Sequence, residues 1–139
     1  MIRIATREDE ELIYNHAMKF VETTPYKDHI SERNIRNMIE LFTQSDDKII
    51  LLYGDVGMIV GMAAPFIFGG GYIATELAWW VDPEERKNGV GSELLSAFEY
   101  WANKIGCKMV SMSSLDDQVG KFYEKNGYVL QERAYVKVL

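Results

Sequence analysis

The sequence predicts an α+β domain: one mixed, mostly antiparallel sheet of six or seven strands with about four helices. Two observations carry this. Helical and strand-like runs follow the order β-α-α-β-β-β-α-β-α-β-β, whereas a doubly wound fold would alternate strand and helix regularly. The central strand-like runs are joined by short glycine-rich turns, Gly54-Asp55-Val56-Gly57 and Gly69-Gly70-Gly71, which read as hairpin connections. With 139 residues, no repeat and no linker, the chain forms one domain, residues 1–139.

The elements are taken in chain order. Ile2 to Ala5 reads as a short strand. Thr6 can cap the first helix, with Glu8 to Glu11 placed for a helix N-terminus. Leu12, Ile13, Ala17, Phe20 and Val21 share one helical face, and Pro25 closes that helix. Ser31 reads as the N-cap of a second amphipathic helix carrying Ile35, Met38, Ile39 and Phe42. Ile49 to Tyr53, Met58 to Phe68 and Ile73 to Val81 are strands. A long helix from Gly89 to Ile105 carries Val90, Leu94, Phe98, Trp101 and Ile105 on one face and stops at Gly106. Lys108 to Ser113 is a strand. Asp116 or Asp117 caps a short helix with Val119, Phe122 and Tyr123, and Gly127 ends it. Tyr128 to Leu130 and Ala134 to Val138 are the final strands.

Composition narrows the function class. A net charge of −6, with acids in both halves, argues against non-specific nucleic-acid binding, which needs a basic face. The single cysteine, Cys107, leaves no internal disulfide framework. The start of the chain lacks the apolar core of a signal peptide, and no apolar run approaches the roughly 20 residues of a membrane span. The expected setting is cytoplasmic, with neither membrane nor nucleic acid as partner. His16 and His29 lie far apart, on or near polar helix faces, with no partners for a metal site.

Arg86-Lys87-Asn88-Gly89-Val90-Gly91 holds the chemistry. A strand, a turn with two glycines, then a helix builds a nest of backbone N–H groups for an anion. Glycine frees the backbone for positive φ and for close approach of a phosphate. Three phosphate motifs fail. A Walker A loop would place Lys-Ser/Thr after the glycine, where Ser92-Glu93 stands. A Rossmann fingerprint would have a third glycine at Leu94. A kinase loop would require a much longer chain.

Arg86-x-x-Gly89-x-Gly91, after a strand ending in Val81-Asp82-Pro83, resembles the acyl-coenzyme A loop of the GNAT family of N-acetyltransferases. Glu76 to Pro83 is similar to the family's fourth strand and the turn beyond it. Phe122 to Tyr128 is similar to its late helix and the Gly-aromatic start of the next strand. The compact form, with Trp-Trp-Val-Asp-Pro and the Tyr-Val-Lys tail, resembles small phage-borne members.

The resemblance implies a donor, acetyl-coenzyme A, and no metal. The amides of Arg86, Lys87, Asn88, Gly89, Val90, Gly91 and Ser92 would bind its pyrophosphate, with Arg86 adding charge-assisted bonds. The pantetheine arm would enter where the fourth and fifth strands splay and pair with the backbone of Trp80 and Val81. Glu76 is the candidate base, directly or through a water, since an alkyl ammonium of pKa about 10.4 must lose a proton to attack. Tyr123 is the candidate acid for the departing sulfur. Transfer would be direct, through a tetrahedral intermediate, so Cys107 reads as packing. Asp116 stands where many members have an asparagine that contacts pantetheine, and Val119 where alanine is common.

The acceptor is an amine, either a small molecule or a peptide. Tyr26, Phe66, Phe68 and Tyr72 could line its groove, with Asp28 and Glu76 attracting the cation. Trp79 and Trp80 should face opposite sides of the sheet, and Trp101 reads as core. The C-terminal strand, Ala134 to Leu139, offers an edge through which a second copy could pair as a homodimer. Two rival readings stand beside the enzyme: an acyl-coenzyme A fold acting as a non-catalytic partner of another protein, and a nucleotide-binding module.

Overall fold

The computed structural model describes all residues, 1–139. The elements run β1 (Ile2–Ile4), α1 (Glu10–Val21), α2 (Glu32–Gln44), β2 (Lys48–Tyr53), β3 (Gly57–Pro65), β4 (Tyr72–Val81), α3 (Val90–Lys104), β5 (Cys107–Ser111) and α4 (Asp117–Lys125). Single 3-10 turns at Arg7–Asp9 and Pro83–Glu85 precede α1 and follow β4. The five strands form one sheet in sequence order, antiparallel except for the parallel pair β4–β5. No helix is long and apolar enough to cross a membrane.

Local chemistry accounts for the helix starts. The Asp9 carboxylate accepts the Thr6 N–H at 2.8 Å and is gripped by Arg3, which holds it down to a pKa of about 2. Ser31 Oγ accepts from Asn34 N at 3.2 Å, as its N-cap role predicts. Asp116, not Asp117, caps α4, accepting from Val119 N at 2.9 Å. Gly106 and Gly127 end α3 and α4 at φ +93° and +89°, a backbone region where other residues are strained.

The sheet has a core on each face. On one side Val90, Leu94, Phe98 and Ala102 of α3 pack on Ile49, Leu51, Ile59, Ala74 and Val81. On the other, Ile13 of α1 and Ile39 and Phe42 of α2 pack on Ile50, Leu52, Met58 and Trp80. Trp79 joins the first core and Trp80 the second, the opposite-face arrangement that strand alternation requires. Trp101 stacks on Phe98 at 5.7 Å.

Two expectations need correcting. The sheet has five strands, not six or seven. Tyr128 to Leu130 and Ala134 to Val138 form no strand, because a strand exists only where its backbone finds a ladder, and no other strand pairs with them. Apart from the half-buried Tyr128, their apolar residues stay outside, Tyr135 at 90% exposed. His16 is also not on a polar face. It is buried at 1% exposure with neither ring nitrogen hydrogen-bonded, and burial holds its pKa below the ordinary value.

The register of β3 and β4 slips once. Val60 faces Ala78 and Gly61 faces Glu76, so Leu77 has no partner and forms a β-bulge. Gly61 is required there. A Cβ on it would sit 2.3 Å from Phe98 Cε1 and 2.9 Å from the Thr75 carbonyl oxygen. Gly61→Ala should therefore cost about 1–3 kcal/mol by overpacking, measured by urea unfolding. A change within about 0.5 kcal/mol would mean that Phe98 moves aside freely.

Candidate active site

β4 and β5 pair only from Tyr72↔Cys107 to Thr75↔Ser111. Beyond this, β4 runs on to Val81 with no strand on that edge, while the chain after β5 turns toward α4. The opening begins at Glu76, next to the bulge at Leu77. A sheet edge opened in this way leaves backbone donors and acceptors for a ligand.

Three polar groups meet at this opening. Glu76 is buried at 6% exposure, and its Oε1 accepts a hydrogen bond from Ser113 N at 3.1 Å. Tyr123, equally buried, donates its hydroxyl to the Ser113 carbonyl oxygen at 2.7 Å. One peptide residue thus holds both expected catalytic side chains, from β4 and from α4. Burial pushes the Glu76 carboxyl up to about 7, with the Ser113 N–H pulling partly against it. Burial, then the neighbouring Glu76 charge, lifts the Tyr123 phenol far above its ordinary range, so it stays protonated and acts as a donor. Trp79 stacks on Tyr123 at 5.8 Å and lies 5.9 Å from Phe122, bracing α4 against β4. Tyr128 packs on Tyr123 at 5.6 Å and anchors to Glu99 through its hydroxyl at 2.8 Å.

At the far end of the opening, Gly89 adopts φ +82° as the residue before α3, with open space around it and no side chain capping the helix. By helix geometry the amides of Val90, Gly91 and Ser92 have no intrahelical acceptor and carry the positive end of the helix dipole. Gly91 also has a packing role. A Cβ there would stand 3.1 Å from the Trp79 ring, so its bareness lets α3 close on Trp79. Arg86 is tied back to the strand. Its Nε donates to the Val81 carbonyl at 2.8 Å and its guanidinium lies 4.9 Å over the Trp80 ring. The terminal nitrogens of Arg86 make no bond within the chain, and Lys87 forms no ion pair. Asn88 Nδ2 bonds Glu85 at 2.9 Å and shapes the turn. These features fit a diphosphate ligand: uncapped amides, two nearby cations and an open approach.

Other expected residues fall elsewhere. Phe66 and Phe68 touch edge to face at 5.9 Å at the exposed β3–β4 hairpin tip, which also carries Tyr72. Burial raises the Cys107 thiol, keeping it protonated and unsuited to nucleophilic attack. No group of three or more His, Cys, Asp or Glu side chains comes together that could hold a metal ion. Sequence reasoning misses Ser113, because the backbone of a residue announces nothing in the sequence. It also misses Leu77, whose bulge depends on a slipped register.

The raised Glu76 pKa has a stability consequence. The folded chain holds this proton more tightly than the unfolded chain, whose carboxyl titrates at 4.5. The burial penalty is absent below that value and complete above about 7, on the order of 3 kcal/mol. Glu76→Gln, neutral and still able to accept from Ser113, should gain about 2–3 kcal/mol relative to the parent as pH rises from about 5 to 8. Urea unfolding at both values checks this; a pH-independent difference would contradict it.

Comparison with known proteins supports the fold. Residues 45–130 match the model of the acetyltransferase (GNAT) domain. No curated protein matches the sequence. Among solved structures, a transcriptional regulator from Bacillus halodurans C-125 superposes with TM-score 0.81 at 20% identity, covering 100% of this chain and 99% of that one. A GNAT family acetyltransferase from Staphylococcus aureus gives 0.73 at 23% identity over 100% and 98%. The aminoglycoside N-acetyltransferase AAC(6')-Iy, solved with coenzyme A, gives 0.79 at 15% identity over 100% and 93%. At these identities the structures share the fold; the domain match covers well over half the chain, and on it the protein belongs to the GNAT acetyltransferases, with the general acetyl-coenzyme A-dependent acyltransferase activity of that family.

Proposed function

We propose that the protein moves the acetyl group of acetyl-coenzyme A directly to a primary amine in the cytoplasm. The observation that carries this reading is the meeting of Glu76 and Tyr123 on Ser113, at the point where β4 and β5 part. The uncapped start of α3, with Lys87 and the free nitrogens of Arg86, holds the diphosphate. The open edge of β4 at Val81 pairs with the pantetheine arm; the Trp80 backbone, expected to share this role, alternates with it and turns toward β3, as does Asp82, whose N–H donates to the Val56 carbonyl. Because Arg86 occupies the Val81 carbonyl, that residue offers only its N–H.

Glu76 acts as the base. A carboxyl of pKa about 7 is ionised in a useful fraction at neutral pH and still basic enough to take a proton from an ammonium. The ammonium gives one proton to Glu76, which passes it to solvent. The amine nitrogen attacks the thioester carbon, forming the N–C bond and a tetrahedral intermediate whose collapse breaks the C–S bond. The nitrogen then loses its second proton to solvent, and the departing thiolate takes a proton from solvent to end as a thiol. Tyr123 supports the departing sulfur by turning its O–H from the Ser113 carbonyl toward it. A phenol held so far above its ordinary range keeps its proton and serves as a neutral hydrogen-bond donor to the sulfur.

A second copy completes this reading as a homodimer. The outer edge of β5 is unpaired, and a broad groove of about 1440 Å³ lies between β5, α4 and the C-terminal segment. Val136, Val138 and Leu139, which follow the lining residue Tyr135 in the chain, stand exposed. Pairing with a second chain would satisfy both. Light scattering should return about twice the chain mass of 16.0 kDa; the single-chain mass at micromolar concentration would refute the dimer.

Thiol release from acetyl-coenzyme A should require an amine. Its kcat/KM should rise with pH through an apparent pKa near 7, and Glu76→Gln should flatten that limb. Tyr123→Phe should slow turnover at least about tenfold. Tight acetyl-coenzyme A binding with no transfer to any amine would point instead to a non-catalytic binding partner.

A further inference from the structure

Asp82 follows β4 and opens the Pro83–Glu85 turn that leads to Arg86. An aspartate at the start of a helical turn ordinarily accepts from the backbone N–H groups after it. Asp82 does not: its side chain makes no cap bond. The turn is held by backbone alone, Asp82 N donating to the Val56 carbonyl at 2.8 Å and Glu85 N to the Asp82 carbonyl at 2.9 Å. The carboxylate turns back instead to its own strand and to α1. Its Oδ1 accepts from the Trp80 indole N–H at 2.8 Å and from Lys19 Nζ at 3.4 Å, with 14% of the side chain exposed. Burial works against the charge, and the bonds from Trp80 and Lys19 outweigh it and hold the carboxyl below its ordinary pKa. An ionised acceptor makes the indole bond a strong one.

What this bond fixes is the ring. The last torsion of a tryptophan side chain is broad, so packing alone leaves the ring plane loosely set. Anchoring the N–H at the ring edge gives that plane one orientation. Arg86 lies over the same ring at 4.9 Å and donates its Nε to the Val81 carbonyl at 2.8 Å. The guanidinium is therefore held at two points, a carbonyl and a ring face, and its terminal nitrogens make no bond within the chain. A long side chain ordered before its ligand arrives avoids the cost of ordering it on binding. For one such side chain that cost corresponds to about two- to tenfold in affinity.

We propose that Asp82 is a positioning residue for the donor: through the Trp80 indole it sets where the Arg86 guanidinium meets the diphosphate. This rests on the donor reading above, in which the free nitrogens of Arg86 hold that group, and adds to it a residue that touches no ligand itself.

Calorimetric titration with coenzyme A tests this without an acceptor. Arg86→Ala should weaken binding at least about tenfold. Asp82→Ala should weaken it about three- to tenfold in the parent but less than about twofold in the Arg86→Ala background. A residue that acts only through the guanidinium has nothing to position once that group is gone, whereas a merely structural loss would be the same in both. Asp82→Asn, whose amide oxygen still accepts from the indole, should stay within about twofold of the parent. If Asp82→Ala fails to fold, Trp80→Phe, which keeps a ring face and loses the N–H, should show the same loss and the same coupling to Arg86. No weakening, equal weakening with and without Arg86, or a loss in Asp82→Asn as large as in Asp82→Ala would overturn the inference and leave the donor reading standing. Unchanged affinity in Arg86→Ala, or no binding by the parent, would overturn both.

Discussion

The Ser113 peptide backbone is the contact on which the site depends. In a sheet that continued, the N–H and C=O of Ser113 would reach toward β4. Pairing stops at Thr75↔Ser111, and buried backbone groups still require partners. Glu76 and Tyr123 supply them, one accepting from the N–H and the other donating to the C=O. The gap between the strands is therefore stabilised by the same two side chains that stand beside it. Opening the sheet and placing a buried carboxyl beside a phenol are one structural event.

The rest of the fold keeps this opening in place. The bulge at Leu77 changes the course of β4 just beyond Glu76, and Gly61 and Phe98 fill the opposite side so closely that no side chain fits on residue 61. Trp79 wedges between Gly91 of α3 and the Phe122–Tyr123 pair of α4, linking the Arg86–Gly91 loop to the helix that carries the phenol. On the other face, Trp80 donates its indole N–H to Asp82 at 2.8 Å, and Arg86 lies over the same ring. The paired tryptophans thus tie both ends of the opening to opposite cores. The charges of Glu76 and Tyr123 are set by their burial: a carboxyl near 7 and a phenol that stays neutral.

Much of this is legible in the sequence. Helix caps such as Ser31 and Asp116 and the stop glycines Gly106 and Gly127 act within a few residues, so local chemistry locates them. The Arg86–Gly91 loop and the Glu76 and Tyr123 positions stand out through family-like spacing. The features that are not legible depend on contacts between distant segments. The slipped register at Leu77, the role of Gly91 against Trp79 and the two bonds of Ser113 have no local signature. The C-terminal strands fail for a related reason: residues 128–139 have strand-like alternation, but pairing needs a partner that the single chain does not supply. His16 is misplaced by sequence because a helix face that looks polar by composition can turn inward when its neighbours Ile13 and Ala17 are drawn to the sheet.

The Ser113 junction keeps Glu76 buried and poised near neutrality, and this is tested most directly by ¹³C NMR titration of the glutamate side-chain carboxyls in the free protein. One carboxyl should titrate near pH 7, well separated from the others, and that resonance should be missing in Glu76→Gln. A spectrum in which every glutamate titrates between about 4 and 5 would contradict the account, because Glu76 would then be solvated and the opening between β4 and β5 would not be held in this way.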